Sequence, residues 1–212
     1  MFVNRLKLLA LSLLVALAVC SAPAHMKDEV AEISSPRGDA PNHAAFRKYT
    51  LLSKLNKADR NASFSLMTAV DKSNMWRTHL RLNLARHPEW TEKQRSIVLE
   101  AIALATPALY EVPKDGTWTR MVDEPVRSLT QRALLVFTKQ EGAALFSQLG
   151  SNEQSRSNHA NPSTPPNCGC SQESDWCSSS SYCAKADCTV LTWGCGTLGI
   201  YACNGNCTAP PK

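Results

Sequence analysis

Eight of the chain's nine cysteines crowd into NCGCSQESDWCSSSSYCAKADCTVLTWGCGTLGIYACNGNC, from Asn167 to Cys207: Cys168, Cys170, Cys177, Cys183, Cys188, Cys195, Cys203 and Cys207. A segment of about forty residues rarely buries enough apolar surface to fold on that alone, so it needs staples. Cysteines at this density supply them in an oxidising compartment. The successive gaps hold one, six, five, four, six, seven and three residues. Zinc modules instead pair cysteines two to four residues apart in two knuckles. This stretch has neither C-x2-C nor histidine, so the expectation is disulfides, with no metal and no cofactor. Which pairing forms is left open.

The opposite end of the chain reads as a route to such a compartment. Residues 1–24 have the form of a signal peptide: Arg5 and Lys7, an apolar run from Leu8 to Val19 broken by Ser12, and Ala22-Pro23-Ala24 before His25. Cleavage is expected between Ala24 and His25, giving a secreted chain. The alternative is a lipoprotein anchored through Cys20, which Val19 fits poorly.

Between these ends lie three further segments. Residues 25–41, with Pro36, Gly38 and Pro41, read as a flexible lead-in. Residues 42–150 read as an all-α domain of about five short helices. Phe46, Tyr49, Leu52 and Leu55 recur every third residue in the first, up to about Lys57. A second covers Phe64 to Ala85, with Val70, Trp76, Leu80 and Leu84 on one stripe and a weak point at Asp71–Asn74. Thr91–Gln94 and Thr138–Glu141 are capping boxes opening two more. A fifth runs from Glu124 to Phe137; residues 107–122 read as a loop, and Gly150 as a C′ glycine. Residues 151–166, SNEQSRSNHANPSTPP, form a Pro/Ser/Asn-rich linker open to proteases, with Arg156 as its one basic side chain.

The module, 167–212, is expected to be small and disulfide-rich with a short β-hairpin. Its strands are Thr189–Trp193 and Thr197–Cys203 around Gly194-Cys195-Gly196, with a further turn at Asn204-Gly205. Trp176, Tyr182, Trp193, Leu198, Ile200 and Tyr201 are many large apolar groups for so small a unit. They are candidates for a contact surface toward a membrane or receptor, or else for a cover over the disulfides.

The net charge of +5 is uneven: the module carries Lys185 and Lys212 against Glu173, Asp175 and Asp187, a net −1. A dense basic run is missing, which argues against nucleic acid and against a cationic lytic peptide. The five histidines, His25, His43, His79, His87 and His159, occur singly, and neither a nucleophile elbow nor a phosphate loop is present. The chain does not read as an enzyme. Asp123-Glu124 suits a helix N-terminus, His79 a packed or surface helix position and not a ligand, and Asn61-Ala62-Ser63 matches a glycan acceptor.

CGCS-x3-DWC, then YC, then GCGT-x3-YACNGN resembles the fulvocin C-related bacteriocin precursors. The matching residues are Asn167, Cys168, Cys170, Ser171, Ser174, Asp175, Cys177, Cys183, Cys188, Gly194, Cys195, Gly196, Thr197, Tyr201, Ala202, Cys203, Asn204, Gly205 and Asn206. The match departs where the family has a cysteine at the place of Tyr201, and Cys207 follows the motif instead. The gap from Cys183 to Cys188 is one residue shorter, so family pairing is not carried over to Cys207. The resemblance implies a secreted precursor with residues 42–150 as its all-α pro-region, and an antibacterial peptide freed from it by a processing protease, aimed at a bacterial envelope or receptor, with an immunity protein as partner. The alternative is an uncleaved two-domain secreted protein whose module binds or inhibits, with or without the lipid anchor.

Overall fold

Five of the described helices begin where a short polar side chain closes the first turn. The computed structural model describes residues 43–111, 114–150 and 165–211. The expected leader with Cys20, the expected cleavage site at Ala24–His25, the expected lead-in and linker residues 151–164 lie outside the described residues. Helix α1 (His43–Ser53) buries Ala45, Tyr49 and Leu52, while Phe46 and Leu55 of the expected stripe stay exposed. Asn56 then accepts the Asp59 amide to cap α2 (Lys57–Ser65), and Thr68 accepts the Asp71 amide to cap α3 (Ala69–Arg86). The break expected at Asp71–Asn74 therefore falls earlier, because Thr68 recruits Asp71 into a first turn. Met75, Trp76, His79 and Leu80 are the buried face of α3, with Val70 outside it.

Both expected capping boxes are present, at Thr91 with Gln94 for α4 (Glu92–Leu104) and at Thr138 with Glu141 for α8 (Lys139–Phe146). The segment between them corrects the expected loop at 107–122. It holds α5 (Ala108–Glu111), α6 (Gly116–Trp118), a π turn over Thr119–Asp123 and α7 (Glu124–Ala133). The Asp115-Gly116 pair caps a helix there, the Asp115 carboxylate accepting the Thr117 amide at 2.8 Å and the Trp118 amide at 3.3 Å. Gly150 is not a C′ residue, since α8 ends at Phe146. It is pressed on α1, where a Cβ would lie 2.6 Å from the Ser53 carbonyl oxygen.

The module folds as two small antiparallel pairs. Strand β2 (Leu191–Cys195) pairs with β3 (Tyr201–Cys203), with an irregularity between the registers Leu191↔Cys203 and Cys195↔Tyr201. A 3-10 turn over Thr197–Gly199 joins them. Strand β1 (Tyr182–Ala184) pairs with β4 (Asn206–Thr208), bringing Cys183 opposite Cys207. The last linker prolines are tied in as well, for Thr189 donates its amide to the Pro166 carbonyl at 2.9 Å.

All the described residues belong to one compact unit. Its apolar centre is shared: Phe64, Trp76, Leu80, Val126, Leu129 and Phe146 of the helices form one buried cluster with Trp176, Leu198, Ile200 and Tyr201 of the module. Aromatic edges lock its helical half, as Trp90 on Phe137 and Phe137 on Phe146.

His79 sits inside this core, the packed one of the two positions that the sequence leaves open. Its Nε2 donates to the Ala144 carbonyl at 3.1 Å, and its Nδ1 accepts from the Tyr49 hydroxyl at 2.9 Å, which suits the neutral ring. Burial pushes its pKa down from 6.5 to about 4, the Ala144 and Leu145 carbonyls opposing and the charges of Arg60 and Arg86 adding to the fall. As pH drops below 6.5 the unfolded chain takes up a proton that the folded chain refuses until about 4, so stability falls across that window. The loss is at most roughly 3 kcal/mol. Urea unfolding followed from pH 7 to pH 4 should show this decline, and His79→Gln should flatten it by that share.

Candidate functional site

The four bridges of the module join Cys168 to Cys188, Cys170 to Cys183, Cys177 to Cys207 and Cys195 to Cys203. Every one closes within 167–207, and the helical region has no cysteine to offer. Cys207 takes Cys177 as its partner. The sulfur atoms of Cys170, Cys177 and Cys183 lie within 4.8 Å of one another. All three are bound in disulfides, so this cluster presents no thiolate to a metal.

With the sulfurs filling its middle, the module turns its large apolar groups outward, and the helices receive them. The Trp176 ring lies on Gly142 of α8, where a Cβ would come 2.6 Å from its ring carbon, and stands 6.3 Å from the Phe146 ring. Leu198 and Ile200 are fully buried in the shared core. Tyr201 meets the Trp118 ring edge-on at 5.9 Å. Trp193, half-buried, has the Tyr110 ring at 6.0 Å and the ammonium groups of Lys114 and Lys72 at 4.2 and 5.2 Å. Only Tyr182 of the six contact candidates is exposed, at 44 %. In the intact chain the face expected to meet a membrane or receptor therefore meets the chain's own helices. The physical reason is area: the disulfides cannot cover these side chains, and an amphipathic helical surface beside them can.

Polar pairs cross the same boundary. The Tyr110 hydroxyl donates to the Leu198 carbonyl at 3.0 Å, and the Lys114 ammonium to the Thr192 carbonyl at 3.0 Å. The Thr197 hydroxyl accepts from the Trp176 indole N–H at 2.9 Å and lies 2.7 Å from that of Thr130. Thr130 already donates to the Val126 carbonyl at 2.8 Å, so Thr197 donates to Thr130. The Tyr201 hydroxyl donates to Asp123 at 2.7 Å, and Arg127 donates to the same carboxylate at 2.8 and 2.9 Å. Burial, then the neighbouring Asp123, raises the Tyr201 hydroxyl well above its ordinary pKa, and burial does the same to Tyr110, so both remain donors. Burial lowers Lys114, and it lowers Lys72 with help from the Lys114 charge.

Backbone shape completes the fit. The β2–β3 connection passes through the left-handed region at Gly196, Leu198 and Gly199. For Leu198, with φ of 55°, this conformation costs about 1–2 kcal/mol and is held by its burial and by Tyr110. Gly199 has no alternative: a Cβ would lie 2.9 Å from the Phe64 ring and 3.1 Å from the Trp76 indole nitrogen.

Several of these partners are corrections to the sequence reading. Asp123 stands at the start of α7 with Glu124 in its first turn, but its carboxylate makes no cap and takes Tyr201 and Arg127. Asn61 is 8 % exposed, and its amide points at Cys195 and Cys203 at 3.5 and 3.6 Å, which leaves no room for a glycan on the folded chain. Tyr110, Lys114, Thr130 and Gly142 carried no signal of their own. Arg127, four residues after Asp123, was the one legible hint. Comparison of the whole chain with protein-family models, curated proteins and solved structures gave no match to any of them.

Two substitutions test this geometry. Tyr201→Phe should lower stability by about 1–3 kcal/mol in urea unfolding, because buried Asp123 loses one of its donors. Cys207→Ser should leave Cys177 as the one residue of 167–212 that alkylates without reductant, read by peptide mass mapping.

Proposed function

We propose that the chain is a secreted bacteriocin-like precursor, whose eight-cysteine C-terminal peptide acts on bacteria once it is released from the helical region. The observation that carries this reading is the separation of staples from cover. All four disulfides lie inside the module, whereas its apolar face, Trp176, Leu198, Ile200 and Tyr201, is covered by the helices. A cut in the linker, followed by separation from the helices, would leave the peptide covalently whole and bare a face of large hydrophobic groups, the kind of surface that meets envelopes and receptors. The resemblance of the cysteine motif to the fulvocin C-related precursors points the same way. On this reading the helical region keeps the peptide inert, a secreted protease does the processing, and an immunity protein guards the producer. The target is a bacterial envelope or receptor, reached by hydrophobic contact, since the module is −1.

A second reading is favoured by the shared core: an uncleaved secreted protein in which the disulfide module is a permanent part of one folded body. Intact mass spectrometry of the culture supernatant separates the two. The precursor reading predicts a species near residues 167–212 that gains eight alkyl groups only after reduction, with growth-inhibiting activity that changes little between low and high salt. A single species near residues 25–212 supports the uncleaved protein. A steep loss of activity with salt contradicts hydrophobic attachment.

A further inference from the structure

The boundary between helices and module has the makeup of a tight protein–protein interface. Aromatic anchors sit in shaped pockets: Trp176 over Gly142 and Phe146, and Trp193 between Tyr110 and the ammonium groups of Lys72 and Lys114. Three polar pairs span it, Tyr201 with Asp123, Thr197 with Thr130 and the Leu198 carbonyl with Tyr110, while the buried indole N–H groups of Trp76 and Trp118 find no acceptor among the described residues. Each side carries a glycine where the other's ring comes closest, Gly142 beneath Trp176 and Gly199 beneath Phe64. Chain continuity between 150 and 165 contributes to none of these contacts.

We infer from this that the helical region is a binding partner for the module as a separate molecule. Cutting the chain between Gly150 and Pro165 then does not free the module. The two pieces stay together as a noncovalent complex, with Trp176, Leu198, Ile200 and Tyr201 still covered, and the module leaves only when that interface is broken. Release is thus a two-step event, proteolysis and then dissociation, and the helical fragment can recapture the peptide in trans. This inference deepens the regulation side of the proposed function, yet it rests on the interface alone and does not need the module to be antibacterial.

The test uses the full oxidised chain with a site-specific protease sequence replacing Ser151–Arg156, cut after purification. Native size-exclusion chromatography at micromolar protein should give one peak containing both pieces, which separate only on a denaturing, non-reducing gel. Gly142→Ala supplies the second arm, because alanine favours the α8 helix itself while its methyl meets the Trp176 ring. Dissociation of the cut Gly142→Ala protein, followed by dilution, should be faster by roughly ten-fold or more. Should that variant fail to fold uncut, Tyr201→Phe takes its place with the same expected direction. Two separate peaks from the cut parent would overturn the inference. So would pieces that stay together equally well in parent and variant, since other contacts would then hold them. Pieces that co-elute while the purified peptide inhibits no bacterium leave this inference standing and remove the antibacterial reading. Pieces that part at once while the peptide inhibits growth do the reverse.

Discussion

The rest of the structure depends on one close contact, the Thr197–Tyr201 turn pressed into the helices, with Gly199 against Phe64 and Trp76. A disulfide module of this size has an inside made of sulfur and an outside made of its remaining side chains. Four bridges restrain the chain, mainly by narrowing the unfolded ensemble, and do little to remove Trp176, Leu198 and Ile200 from water. The helices do that second job. They in turn gain the same apolar groups, because Phe64, Trp76 and Phe146 would otherwise face solvent on that side.

This reciprocity explains features that look unrelated along the sequence. Leu198 accepts a left-handed backbone because its side chain and carbonyl are both claimed by the helical region. Asp123 is tolerated as a buried carboxylate because Arg127 and Tyr201 both donate to it. The Asn61 amide rests on the Cys195–Cys203 bridge in place of carrying a glycan. Lys72 and Lys114 place their charges over Trp193, where burial lowers both.

Features set by neighbours a few residues away were readable in advance. The capping boxes at Thr91 and Thr138, the β2–β3 hairpin and the disulfide character of the tail all rest on short spacings. The caps at Asn56 and Thr68 were harder, because aspartate stands where the capping box would have glutamate or glutamine, and Asp115-Gly116 imitates a turn. The bridges and the cover of the module were out of reach for a different reason. A row of apolar side chains says that a face needs covering and is silent about what covers it. The partners of Trp176, Tyr201 and Gly199 come from up to about 140 residues away in the chain, and long-range pairing leaves no periodicity behind.

The central claim is that helices and module stand on one core. Reduction touches this claim from one side and circular dichroism of the helices reads it from the other, since every cysteine of residues 25–212 lies in the module. Thermal melts at 222 nm of residues 25–212, oxidised and fully reduced, make the test. A shared core predicts that reduction lowers the helical melting temperature by roughly 10 °C or more. An unchanged helical transition, with the module's thiols free, would contradict it.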